Sequence, residues 1–113
     1  MLIKERHQYF IYITTNPNRK VVYTGVTNNL PVRIMEHWQN RGDDKTFAGK
    51  YYCYCLIYYE QFQYIKDAIA REDEIKGWRR QKKNDLIKTM NPTWTFLNVS
   101  ICGQWPPAED WSK

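Results

Sequence analysis

Two short apolar, aromatic-rich runs, Tyr9–Thr15 (YFIYITT) and Val21–Gly25 (VVYTG), flank Asn16-Pro17-Asn18-Arg19. Asn followed by Pro opens a type I turn, so the pattern predicts a β-hairpin over about Gln8 to Val26. An even-length loop centred on Pro17-Asn18 sets Tyr12 directly opposite Tyr23, with both side chains on one sheet face. Gly25 lies two residues beyond Tyr23 on that face, where a missing side chain leaves room for a ligand or a backbone. A helix over about Leu30 to Gln39 follows, because Asn28 and Asn29 suit the N-cap and Pro31 suits a first turn. Leu30, Ile34 and Trp38 form its inner stripe, and Arg33 and His37 fall at the edge of that stripe.

Further on, Asn40–Asp44 is a polar loop and Lys45–Lys50 (KTFAGK) a short helical turn. Tyr51–Tyr59 (YYCYCLIYY) is rich in aromatic and apolar residues and too short for a buried helix, so it reads as a central strand. Glu60–Tyr64 reads as a loop. A second helix is expected over about Lys66–Arg80 with a break at Gly77. A third is expected over about Lys83–Thr89, stopping before Asn91-Pro92 because the residue preceding proline avoids the helical region. Met1–His7 reads as a loosely held lead-in. From Val99 onward the chain has Pro-Pro and few packing signals, and leaves open whether Trp105 and Trp111 dock or lie exposed. The expected architecture is a compact α+β domain over residues 1–98, with a three-stranded antiparallel sheet and about three helices, followed by a tail over residues 99–113. There are no repeats.

Composition adds bounds. The 113 residues make one domain with a modest core, and a hydrophobic content of 42% is ordinary for a globular chain. No apolar run approaches a membrane span and the first residues are no signal peptide, so a soluble, cytoplasmic protein is expected, with a monomer favoured. Cys53, Cys55 and Cys102 lack CxxC spacing and read as small core residues in a reducing compartment. Zinc is not expected, since only His7 and His37 could join them.

Charge says more. A net charge of +5 and a pI near 9.1 favour a polyanionic partner. Lys76–Lys83 (KGWRRQKK) carries five positive charges in eight residues: Lys76, Arg79, Arg80, Lys82 and Lys83. They either contact phosphates or form a solvated helix end that complements the macrodipole. Lys45 and Lys50 have the same two readings. Trp78, among these cations, either stacks a base or packs beneath the C-terminal tail.

Glu72 falls in the middle of a stripe made by Ile65, Ala68, Ile69 and Ile75. A carboxylate buried there without a partner is costly. A salt bridge to Arg33 or Lys76 satisfies it, and so does a divalent cation. An Arg/His pair at i,i+4 is often surface decoration, and His37 is either a satisfied core residue or a partner for a tyrosine or phosphate oxygen. No P-loop, GxGxxG, HExxH or Ser/His/Asp set competes with these positions.

These residues resemble the GIY-YIG endonuclease family, with Ile11-Tyr12 as the first motif and Tyr23-Thr24-Gly25 as the second. Ten residues separate the tyrosines, Arg33 follows ten positions after the second, and His37 four after that. Ala70-Arg71-Glu72 matches the family's acidic motif. The likeness runs roughly from Gln8 to Asn98 and is greatest to the small stand-alone bacterial members. Phe10 and Thr24 depart from the motifs, at positions that carry no chemistry in the family. The resemblance implies a metal-dependent DNA endonuclease with a single Mg²⁺ or Mn²⁺ held by Glu72. Arg33 would grip the phosphate and Tyr12, with His37, would take a proton from water. Tyr23 would orient the nucleophile, and a site asparagine would be Asn91 in preference to Asn98. The rival expectation is a non-catalytic nucleic-acid-binding module of the same fold. Repair, mobile-element processing and restriction all use this chemistry, and the sequence does not choose among them.

Overall fold

The computed structural model describes residues 8–107; the expected lead-in Met1–His7 and Trp111 lie outside the described residues. Three strands, β1 (Tyr9–Thr15), β2 (Val22–Thr27) and β3 (Cys55–Phe62), form one antiparallel sheet in the order β2-β1-β3. The helices among the described residues are α1 (Leu30–Gln39), α2 (Phe47–Lys50), α3 (Ile65–Lys76), α4 (Arg80–Met90) and α5 (Asn98–Cys102). The three-stranded antiparallel sheet is as expected, with five helices in place of about three.

β1 is the central strand, and the aromatic run expected to be central forms an edge instead. That run also begins later. Thr46 caps α2 through its side chain, Tyr51 closes it, and Tyr52 turns the chain at φ 59, so β3 starts at Cys55. It then continues through Glu60–Phe62, which read as a loop. Aromatic content alone does not separate a strand from the turn that feeds it.

The outer edge of β3 is closed by the segment that follows α4. Leu97 N–H donates to Leu56 O at 2.8 Å, and Asn98 accepts from Leu56 N–H and donates to Tyr54 O, both at 2.8 Å. In the pairing with β1, Ile13 meets Tyr58 and Thr14 meets Leu56, so Ile57 is the extra residue of a bulge. Its carbonyl accepts from the Asn91 amide at 3.0 Å. Strand groups that would otherwise lie open to another chain are thus satisfied.

The sheet is covered on both faces. On one, Ile11, Ile13 and Ile57 pack with Ala68 and Ile75 of α3 and Ile87 of α4. On the other, Tyr12 and Leu56 pack with Leu30 and Ile34 of α1, joined by Leu97, Ile101 and Trp105. The inner stripe of α3 is narrower than expected, since Ile65 and Ile69 are each 44% exposed. The helix does break at Gly77, its C-cap, but α4 begins at Arg80 rather than Lys83. Trp78 sits between them against the isoleucine cluster, with the Lys82 ammonium 4.4 Å from its ring. Among the described residues of the C-terminal segment, Ile101, Cys102 and Trp105 pack on the opposite face of the sheet. Residues from Asn98 form α5 on the α1 side, and Trp105 meets Trp38 at 5.6 Å. Among the described residues no helix is long and apolar enough to cross a membrane.

Candidate active site

The hairpin sets the geometry. Tyr12 pairs with Gly25 and Tyr23 with Thr14, so the expected Tyr12–Tyr23 pairing is displaced by two residues. The cause lies in the turn. Arg19 N–H closes onto Asn16 O at 2.8 Å, Arg19 takes φ 61, and the Asn16 side chain then accepts from the N–H groups of Lys20 and Val21. The loop therefore extends to Val21. A slip of two residues preserves the face on which each side chain lies, and the tyrosine rings remain neighbours at 6.3 Å. Gly25 leaves room, but for a side chain of this protein. A β-carbon on it would overlap the Tyr12 hydroxyl and lie 2.6 Å from Tyr12 Cζ.

Helix α1 brings the next two residues. Asn29 caps it by accepting from Val32 N–H at 3.2 Å, with Pro31 in the first turn as expected. Its inner stripe buries Leu30, Ile34 and also His37. His37 Nε2 lies 2.8 Å from the Tyr12 hydroxyl, and Arg33 Nε donates to that hydroxyl at 3.3 Å. Arg33 Nη1 also donates to Glu36 at 2.9 Å. The salt bridge of Arg33 is thus to Glu36 and not to Glu72.

Protonation follows from these contacts. Burial pushes the His37 imidazole down to about 4, and the Arg33 charge adds to the effect, so His37 is neutral near pH 7. Because Arg33 Nε can only donate, the Tyr12 oxygen accepts from it, and with the neutral His37 in its Nδ1–H tautomer the hydroxyl proton is directed to His37 Nε2. Burial disfavours the charge on Arg33, but its bonds to Glu36 and Tyr12 outweigh burial and keep it cationic. The Tyr12 hydroxyl is raised well above the ordinary tyrosine value, mainly by burial, with Arg33 opposing and Tyr23 and Glu72 adding to the rise. A cationic neighbour alone would pull this group down, but Tyr12 is fully buried and desolvation exceeds the help from Arg33.

At the β2 edge α3 contributes Glu72 and Lys76. Glu72 is 14% exposed on its side chain and pairs with the Lys76 ammonium at 3.1 Å. That ammonium also lies 5.9 Å from the centre of the Tyr23 ring. A cation therefore already rests against this carboxylate. One carboxylate completed by waters and phosphate oxygens is a ligand set that suits Mg²⁺, so Glu72 fits a divalent ion. Among the described residues no cluster of three His, Cys, Asp or Glu side chains forms a fuller cage.

The structure gathers Tyr12, Tyr23, Arg33 and His37 into one group and sets Glu72 and Lys76 beside it. Asn91 stands apart. Its amide donates to Ile57 O and Thr95 O and its oxygen accepts from Thr95 N–H, so it fastens β3 and its side-chain bonds reach no residue of the Tyr12 group. Asn98 is likewise taken up by the β3 edge. Among the cations, Lys45, Lys50, Arg79 and Lys82 are exposed and Lys83 is half-buried. Arg80 is anchored, donating to Lys20 O and Asn84 at 3.0 Å each. Two contributors carried no advance signal beyond their place in the chain. Glu36 holds Arg33, and Phe47, an apolar residue between Lys45 and Lys50, stacks on Tyr23 at 6.2 Å.

Residues 8–85 match the family model described as the GIY-YIG catalytic domain. The chain is 31% identical over 86 residues to a UPF0213 protein of Bacillus pumilus, covering 76% of this chain and 85% of the relative. It is 34% identical over 80 residues to a UPF0213 protein of Staphylococcus aureus strain Mu3, covering 71% and 94%. The solution NMR structure of a UPF0213 protein from Bacillus halodurans is similar with a TM-score of 0.48 at 22% identity, covering 77% of this chain and 89% of that one.

Proposed function

The chain belongs to the GIY-YIG catalytic-domain family, and from that premise we propose that it is a divalent-metal-dependent endonuclease hydrolysing phosphodiester bonds in DNA. The observation that carries the reading is the Tyr12 hydroxyl, held between the Arg33 guanidinium and a neutral His37 Nε2. A structural tyrosine needs one partner. This one has a cationic donor on one side and a proton acceptor on the other.

In this scheme a water beside the scissile phosphate gives its proton to the Tyr12 oxygen as the Tyr12 proton passes to His37 Nε2. No free phenolate has to exist beforehand, which removes the difficulty posed by the raised Tyr12 hydroxyl. Arg33 holds the phosphate with donors not engaged by Tyr12 and Glu36, and stabilises charge on the tyrosine oxygen as the proton moves. Tyr23 orients the attacking water. Glu72 holds the divalent ion, which when bound supplies stabilisation of charge on the leaving 3′ oxygen. The exposed cations of α2 and α4 contact flanking phosphates.

A second reading comes from exposure. Tyr12 is fully buried while Tyr23 is only partly so. In that version Tyr23 meets the water, and Tyr12 is the buried link that positions Arg33 and His37. Incubation of the chain with labelled single-stranded and branched DNA, with and without Mg²⁺ or Mn²⁺, tests the proposal. Metal-dependent cleavage is expected; binding without cleavage in either metal leaves a nucleic-acid-binding module.

A further inference from the structure

A connected row of aromatic rings leaves the candidate site and ends in solvent. Tyr23 stacks with Phe47, their centroids 6.2 Å apart and planes 24° from parallel, and Phe47 meets Tyr51 at 4.8 Å. Phe47 is 49% exposed and Tyr51 40%. Single exposed apolar side chains are ordinary on a protein surface. Three in contact, beginning on a tyrosine of the site, make a patch.

The patch is held by a packed support. The Thr46 hydroxyl accepts from Gly49 N–H at 3.0 Å, and Gly42 N–H donates to Gly49 O at 2.8 Å. Ala48 and Gly49 are buried, and a β-carbon on Gly49 would overlap the Asp43 carbonyl oxygen. Phe47 thus faces outward because the other side of α2 is full. Cations stand at both ends of the row, with Lys76 5.9 Å from the Tyr23 ring and Lys50 5.4 Å from the Tyr51 ring. Lys45 is exposed beside them, while the Asp43 carboxylate is turned to Lys45 N–H.

We propose that Tyr23, Phe47 and Tyr51 form a stacking platform for unpaired bases of single-stranded DNA next to the scissile phosphate, with Lys45 and Lys50 on its backbone. Every base has a face that stacks on an aromatic ring, but in duplex DNA those faces are occupied by neighbouring bases. A duplex would offer this surface phosphates alone. The favoured substrate is therefore a single-stranded or frayed segment. The scissile phosphate in this statement rests on the nuclease reading above; the binding surface does not.

The test is fluorescence anisotropy with the full chain and no divalent metal, using one labelled oligonucleotide as a single strand and as its blunt duplex. The wild type is expected to bind the single strand more tightly. Phe47→Ala and Tyr51→Ala should each weaken single-strand binding at least about five-fold and leave duplex binding unchanged, which also shows that the variants are folded. Phe47→Trp should restore stacking. A preference for duplex, or variants that lower both affinities equally or neither, overturns the platform. Cleavage of the same two oligonucleotides in Mg²⁺ separates the claims. Cleavage with single-strand binding indifferent to Phe47 and Tyr51 sinks the platform alone. The expected binding pattern without cleavage of either form supports the platform and sinks the nuclease reading.

Discussion

The Tyr12 ring lies across the bare α-carbon of Gly25, its partner on the neighbouring strand, and only the missing side chain lets the hydroxyl reach His37 and Arg33. Gly25→Ala should therefore act on the site through Tyr12. The added methyl cannot share space with the hydroxyl, so the ring must turn and both hydrogen bonds must lengthen. Overpacking of this kind costs about 1–3 kcal/mol. Loss of cleavage together with a lowered Tm is expected, and a variant with wild-type Tm and activity would contradict the close approach.

Stability should depend on pH through His37. Its folded value is about 4 against an ordinary 6.5. Between these the unfolded chain binds a proton that the folded chain does not, so stability is full above pH 6.5 and falls as pH drops towards 4. At 1.36 kcal/mol per tenfold change in proton affinity the loss approaches about 3 kcal/mol. Urea unfolding at pH 7 and pH 4.5 should show a smaller drop for His37→Gln than for the wild type by about 2 to 3 kcal/mol. Equal drops would mean that His37 is protonated in the folded protein.

Among the described residues Glu72 pairs with a half-exposed lysine, and such pairs contribute about 1 kcal/mol or less. Glu72→Gln should accordingly keep the fold and its Tm while losing metal-dependent cleavage and the heat of Mg²⁺ or Mn²⁺ binding in calorimetry. Full activity, or a collapsed structure, would end its role as a metal ligand.

Thr14 is fully buried on the central strand, and its hydroxyl has no hydrogen-bond partner among the described residues. An unsatisfied buried hydroxyl is unfavourable, and Val fills the same volume with good strand propensity. Thr14→Val should raise stability by about 1 kcal/mol in denaturant titration. A loss of that size would show that the hydroxyl serves a partner.

Local signals in the sequence were enough to place the hairpin, the capped helix and the shared face of Tyr12 and Tyr23. Asn29 and Pro31 determine α1 within a few residues, and strand periodicity survives a slip of two. What local pattern does not carry is the partner across a strand or an edge. The register depended on the Asn16 side chain capturing two backbone N–H groups, which lengthens the loop. Asn91 and Asn98 have chemistry suited to a site, yet each also bonds the backbone of β3 more than thirty positions away in the chain, which local pattern does not show. Likewise the family motif marks Tyr12, while its burial, which decides its protonation, comes from α1 and the neighbouring strands, distant in the chain.

The most direct measurement is single-turnover cleavage by Tyr12→Phe and Tyr23→Phe beside the wild type, in saturating Mg²⁺. Both substitutions remove only a hydroxyl, so the packing of the rings at 6.3 Å is kept. If Tyr12 passes the proton to His37, Tyr12→Phe should slow cleavage by about 10²–10⁴-fold, and Tyr23→Phe should slow it much less. Near-wild-type rates for Tyr12→Phe, with the large loss falling on Tyr23→Phe or on neither, would contradict the relay.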